Sequence, residues 1–192
     1  SFCIAAKISS NVNILDYANA NGWVNDKQYK EVVIGDIKVT ATGGGNTGKY
    51  YTSGNDWRLY QTDDGIIVIN STSGNIVSIK LTYASSNNGI LDLNGSDVES
   101  GTVIDVNSNS ITFSVGNTGS ATNGQARITA IEVVYIIENH ECNQKEEIKG
   151  KDATCTEDGL TDGAKCDVCG TITKEQETIS KLDHNWKDAT CQ

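Results

Sequence analysis

Residues 75–83, NIVSIKLTY, alternate apolar and polar side chains. Val77, Ile79, Leu81 and Tyr83 fall on one side of an extended chain, and Ser78, Lys80 and Thr82 on the other. A period of two places successive side chains on opposite faces of a strand, so the stretch reads as a strand with one buried face. The pattern recurs in RLYQ, GIIVIN, TVIDV, SITFSV and ARITAIEVVYII. In the last of these the alternation changes phase near Ala130, which predicts a bulge or a change of sheet. Residues 31–42, EVVIGDIKVTAT, predict two short strands about Gly35-Asp36, or one bulged strand. The separators are Gly43-Gly44-Gly45, Asp64-Gly65, Asn88-Gly89, Asn94-Gly95 and Asn123-Gly124. Asn and Gly accept positive φ, so these pairs suit hairpin turns. Only residues 13–21, NILDYANAN, read as helix, and they are too few to be stable alone. The expectation is an all-β domain over residues 1–137, an antiparallel β-sandwich or jelly roll.

From residue 138 the texture changes. Large apolar side chains become rare, while Cys and charge become frequent. Roughly 50 such residues cannot build a hydrocarbon core, so a small, loop-rich module held by covalent or metal staples is expected. The chain has six Cys, at 3, 142, 155, 166, 169 and 191, and five of them lie in this last third with both histidines, His140 and His184. Cys166-x-x-Cys169 is a chelating spacing, because two thiolates on a tight turn reach one ion. With Cys155 and His140 it makes a Cys3His set, a preferred zinc arrangement. His184 competes as fourth ligand and Cys142 as a thiolate. The alternative is a disulfide framework, with Cys3–Cys142 among three bridges. A redox-active thioredoxin-like use of the pair is disfavoured, because no βαβ pattern precedes it.

The word KDATC occurs at 151–155 and again at 187–191, with CDVCG at 166–170 between the copies. This segment resembles the Cys-rich tandem repeats of long surface proteins of gut Clostridia-type anaerobes. In those repeats a His-x-Trp, an Ala-Thr-Cys and a Cys-x-x-Cys-Gly recur. His184-Asn185-Trp186 and Ala189-Thr190-Cys191 match the start of a second copy. The first copy departs, with Cys142 where Trp is usual. The resemblance implies a repeat module over 138–183 and a truncated second repeat over 184–192. It implies a fragment of a longer array that spaces a head domain from a bacterial cell wall. TGKYYTSGNDWRLYQ, VSIKLTY and ITFSVGNTGSATNGQARITAIEVVY resemble a β-sandwich module of secreted multidomain proteins of gut bacteria. That likeness implies an extracellular or cell-surface setting, and its sandwich shape is shared with carbohydrate-binding modules.

Charge narrows the partners. The net charge is -10, from 15 Lys+Arg against 25 Asp+Glu. Nucleic acid needs a basic footprint, so it is disfavoured, as are anionic membrane surfaces. No apolar run approaches the ~18 residues of a membrane span. The chain contains no Met, and the opening SFCIAA reads either as the tail of a secretory signal or as an arbitrary cut. A monomeric fragment is expected.

No catalytic constellation is evident in the first region. Both histidines lie outside it, and Asp63-Asp64 before Gly65 reads as a turn. GGGNTGK at 43–49 has the composition of a phosphate loop without its spacing. Binding is better served. Tyr50, Tyr51, Asp56, Trp57, Arg58 and Tyr60 bring together aromatic faces that stack on sugar rings and polar groups that hold hydroxyls. Trp57, if it shares a face with Leu59 and Gln61, belongs to the core instead. Arg127 with Asn123 and Gln125 forms a second polar group. Asp16, Asp26, Asp63, Asp64, Asp92 and Asp97, in or near turns, are candidates for a calcium ion. The sequence therefore reads as a non-catalytic extracellular module, glycan-binding, on Cys-rich spacers. The alternative is a structural stalk or protein-adhesion domain without a small ligand.

Overall fold

A computed structural model describes residues 2–118, 121–142, 145–167 and 169–182, with the side chains of residues 2–5 and 138–140 excepted. The chain forms two compact units. One is Lys7–Ile137, and the other combines Ser1–Ala6 with Glu138–Gln192. The first six residues thus group with the Cys-rich unit, not with the sandwich.

The first unit is an antiparallel β-sandwich. Its elements, of which the first and last strands extend past its bounds at Lys7 and Ile137, are β1 (Phe2–Asn13), α1 (Ile14–Ala20), β2 (Lys27–Gln28), β3 (Glu31–Ile34), β4 (Ile37–Thr42), β5 (Lys49–Tyr51) and β6 (Asp56–Tyr60). There follow β7 (Ile66–Ser71), β8 (Ile76–Tyr83), β9 (Gly89–Leu93), β10 (Ser96–Val98), β11 (Val103–Ser108), β12 (Ser110–Asn117) and β13 (Gln125–Glu141). One sheet runs β11-β8-β13-β6-β5-β2, with β1 added to β13; the other runs β10-β9-β12-β7-β4-β3.

Alternation builds the core. Ile37, Val39 and Ala41 of β4, Ile67 and Ile69 of β7, and Phe113 of β12 are buried from one sheet. Trp57 and Leu59 of β6, Ile79 and Leu81 of β8, and Ile131 and Val133 of β13 are buried from the other. Burying a side chain of this size contributes about 1.5–3 kcal/mol. The helix is α1 as expected: the Asn13 side chain caps it by accepting from the Asp16 N–H at 3.1 Å, and its Ile14 and Ala18 reach the core. After it, Trp23 stacks on Tyr29 with ring centroids 4.5 Å apart and touches Tyr17, Tyr50 and Trp57.

The expected turn pairs divide: Asn88-Gly89 and Asn123-Gly124 take no positive φ, and Gly89 opens β9, whereas Asn94-Gly95 turns as its chemistry predicts. Asn94 and Gly95 take φ of 53° and 85° in a two-residue hairpin that pairs Leu93 with Ser96. Gly35-Asp36 separates β3 from β4. The phase change in β13 is real: its register against β8 shifts between Ile128 and Ala130. One face assignment in β8 changes. Ile76 is buried and Val77 only half so, because Val77 is an extra residue of β8 where its register against β13 shifts.

The second unit contains β14 (Lys145–Ile148), β15 (Gly159–Leu160), β16 (Gly163–Cys166), β17 (Ile172–Lys174) and β18 (Thr178–Ile179). They form a three-stranded sheet, β14-β16-β17, and a two-stranded one, β15-β18. Among the described residues from 141 to 182, the buried ones are Cys142, Gly159, Gly163 and Cys166. A hydrocarbon core is replaced by sulfur. The second repeat expected at 184–192, with His184 and Cys191, lies outside the described residues.

Candidate functional site

β5 and β6 carry the six side chains expected to bind a ligand. Register and alternation sort them. Tyr50 pairs with Trp57, and both point into the core at 2% and 0% exposure. The Trp57 indole N–H donates to the Tyr29 and Gly48 carbonyls, each at 2.9 Å. Neither ring offers a face to a sugar. The opposite face of the sheet carries Tyr51, Asp56, Arg58 and Tyr60, and there the chain binds itself. Asp56 is fully buried under the β5–β6 turn, where any Cβ on Gly54 would collide with its carboxylate. The Arg58 Nε donates to Asp56 Oδ1 at 2.6 Å, and its side chain is only 11% exposed. Burial pulls the guanidinium pKa down, but the hydrogen bond and charge of Asp56 outweigh it and leave the pKa raised. The Tyr51 ring covers that guanidinium at 3.9 Å, and its hydroxyl donates to Asp26 Oδ1 at 2.8 Å. Burial and then hydrogen bonding with Tyr60 and Asp26 push the Tyr51 phenol up. Tyr60, also buried, lies outside the core cluster.

The fold joins the two polar groups that are far apart in sequence. Arg127 of β13 stands directly across from Arg58, and Gln125 across from Tyr60. Lys49 flanks Arg58 on its other side, so three cationic residues line up across three strands. Lys49 is held by Asp26 at 3.0 Å. Arg127 donates to the Ser86 hydroxyl at 2.8 Å and to Gln125 Oε1 at 3.0 Å, while its buried Nε meets no acceptor among the described residues. Asn123 is on the adjoining loop and accepts from the Thr62 hydroxyl at 2.8 Å. Tyr51, Gln125 and Arg127 remain partly exposed.

The glycine-rich loop and the aspartate pair explain each other. The Asn46 and Thr47 N–H groups both donate to Asp63 Oδ2 at 2.7 Å, and Gly44 N–H donates to the Asp63 carbonyl at 2.9 Å. These donors are taken by an internal carboxylate, which is a latch and not an anion site. Asp64 sits in the left-handed region, φ 52°, and turns the chain toward β7.

The other aspartates do not assemble a calcium site. Asp26 is held by Lys49 and Tyr51, and Asp92 accepts from the Gly95 N–H at 2.8 Å. Among the described residues, no set of three carboxylates meets the spacing of a metal cage. A shallow groove of about 440 Å³ beside α1 is lined by Asn11, Val12, Asp16, Tyr17 and Ile34 among others, mostly apolar.

The cysteines gather differently from the expected set. The sulfurs of Cys142, Cys166 and Cys169 lie within 4.8 Å of one another. Cys155 is an exposed free thiol outside this group, and Cys142 takes its place. The reason is topological: β14 pairs Lys145 with Cys166, which draws the end of β13 toward the Cys166–Cys169 turn. That turn is closed by a Gly170 N–H donating to the Cys166 carbonyl at 2.8 Å, with Gly170 at φ 71°. The side chain of His140 lies outside the described residues. Cys142 is disulfide-bonded, and its partner is none of Cys155, Cys166 and Cys169. The proposed bridge to Cys3 falls on a side chain outside the described residues. Cys169 Sγ hydrogen-bonds Thr171 Oγ1 at 3.1 Å. Burial raises the Cys169 thiol pKa, but hydrogen bonds from Thr171 and Cys166 more than offset this, so it is lowered.

An all-β sandwich with a sulfur-centred second unit is the class that fold and site define. Comparison with family models, with curated proteins and with solved structures finds no match for this chain.

Proposed function

We propose that the chain is a non-catalytic structural module of an extracellular bacterial surface protein. The sandwich serves as a stalk or protein-adhesion unit, and the second unit is a spacer stapled by sulfur and by zinc. One observation carries this reading: the side chains best suited to a small ligand are spent on each other. Tyr50 and Trp57 fill the core, Asp56 holds Arg58, and Tyr51 covers Arg58. The groove beside α1 adds one carboxylate, Asp16, and no histidine base.

A glycan reading retains one specific support, the face formed by Tyr51, Gln125 and Arg127. There Arg58 has the half-exposed Tyr51 ring over it and, across from it on β13, Arg127, whose Nε lacks an acceptor among the described residues. The two readings separate in one experiment. The full chain is passed over host mucin, plant and bacterial glycans beside a folded Tyr51→Ala, Arg127→Ala variant. The structural reading expects no retention of either protein. Retention of the natural chain that the double variant loses would replace it with carbohydrate recognition at this face.

A further inference from the structure

The sulfur cluster contains a conflict that suggests a use. Three sulfurs lie within 4.8 Å of one another, yet one of them, on Cys142, is already in a disulfide. Zinc–thiolate bonds of about 2.3 Å place tetrahedral sulfurs about 3.8 Å apart, so no pair in this group needs to contract by more than about 1 Å to hold the ion. A sulfur within a disulfide is a poor ligand, because it has no thiolate charge to give. The same atom therefore serves one role or the other.

We infer that Cys142, Cys166 and Cys169 form a redox-gated zinc site in which Cys142 is the gate. The inference rests on the proposed zinc staple and adds to it the identity of the third thiolate and the condition for its release. Opening the gate is a two-electron step. A dithiol supplies two electrons and its own two protons, or a phosphine supplies two electrons while one water supplies two protons and the oxide's oxygen; the S–S bond breaks and two thiols form. The reductant leaves as its disulfide or as the phosphine oxide. Zinc then displaces one proton from each of the three thiols, and a fourth position remains for water or another donor.

Three features favour this trio over a set containing Cys155. Cys142 and Cys166 are buried, so the ion would be shielded on that side. The Cys166–Cys169 turn is preset by Gly170 and by the Cys166 N–H donating to the Thr171 carbonyl at 2.8 Å. Cys142 and Cys166 are brought together by adjacent chain segments, since β16 ends at Cys166 opposite Lys145. Among the described residues, the buried apolar cluster of this unit is Cys142 and Cys166, with Cys169 packed against them. A small unit without hydrocarbon needs such a staple.

The test uses the full chain, as purified and after reduction with a phosphine that is then removed under argon. Each form is titrated with zinc ion alone against a chromophoric chelator, and metal stoichiometry is read by native mass spectrometry. The reduced chain is expected to take up one zinc more than about a hundredfold more tightly than the oxidised chain, beyond what loss of a supporting contact costs. Reduced Cys142→Ser should lose that advantage, and Cys155→Ser should keep it. Should Cys142→Ser fail to fold, protection of the natural chain decides: zinc should shield Cys142, Cys166 and Cys169 from iodoacetamide and leave Cys155 reactive. Equal affinity in the oxidised and reduced forms would overturn the gate while leaving the zinc staple standing. No binding in either form would overturn both. Shielding of Cys155 in place of Cys142 would overturn the assignment of the trio.

Discussion

Asp56 and Arg58 show how a pair of charged side chains is settled by its surroundings. The carboxylate is fully buried and the arginine side chain is 11% exposed, so the pair has left water almost completely. Replacing Asp56 with Asn keeps the shape and strands the cation. Breaking a buried pair in this way costs about 3–5 kcal/mol, and a urea unfolding curve of Asp56→Asn should show a loss of that order. A joint Asp56→Leu, Arg58→Met change should recover much of it, since no charge is left behind. Tyr83 makes a prediction of a different kind. Its phenol donates to the Val98 carbonyl at 2.6 Å, and burial first, with Glu99 and Asp97 adding, pushes its pKa up from 10 to about 12 against an opposing Leu91 N–H contact. The folded state thus holds its proton longer than the unfolded chain does. Its contribution is complete below pH 10 and is lost as pH rises from 10 toward 12. Denaturation midpoints should fall over that interval, and Tyr83→Phe should flatten the fall. Parity within one strand made the inward turn of Trp57 beside Leu59 legible. The burial of Asp56 and Tyr60 was not, because it depends on Tyr51, Gln125 and the Gly54 turn, which reach them only through pairing across strands.

At the scale of elements, alternation carried most of the information, and of the Asn-Gly pairs only Asn94-Gly95 makes the expected positive-φ turn. β4, β7, β8, β12 and β13 stand where their patterns place them, and Asn94-Gly95 makes the hairpin its chemistry demands. Strands of two or three residues, such as β2, β5 and β10, left no periodic trace, since a period of two needs several residues to appear. The misassigned face at Ile76 has a related origin: Val77 of β8 is an extra residue between Ser78, paired with Val134, and Ile76, paired with Tyr135, and alternation alone does not show a bulge. β13 bears the sharper test. Ile128 pairs with Tyr83 and Ala130 with Thr82, so Thr129 is the extra residue that resets the phase. Deleting it would drive either Ala126 and Ile128 or Ile131 and Val133 to the wrong face, since a one-residue slip inverts a strand. The deletion should abolish the cooperative melt followed by circular dichroism. Thr129→Val should cost no more than about 1.5 kcal/mol, the usual limit for one side-chain to backbone hydrogen bond.

At the scale of the whole molecule, two units rest on different physics. Lys7–Ile137 is held by buried hydrocarbon, and the unit containing Glu138–Gln192 is held by a sulfur cluster and short ladders. The shift in composition near residue 138 made that division legible, while the choice of Cys142 over Cys155 was not, because it depends on β14 pairing with β16. A reductant combined with a chelator should therefore open the second unit to protease while a fragment covering Lys7–Ile137 survives, as peptide mapping would show. The sulfur interior has a thermal consequence as well. The heat capacity of unfolding comes chiefly from apolar surface exposed to water, at about 0.45 cal/K/mol per Å². Among the described residues of the second unit the buried side chains are cysteines, which expose little of it. That unit's stability curve is accordingly shallow, with no steep cold or hot flank. Temperature governs the sandwich, whereas under the proposed zinc gate the second unit answers to the electron and metal supply of its surroundings.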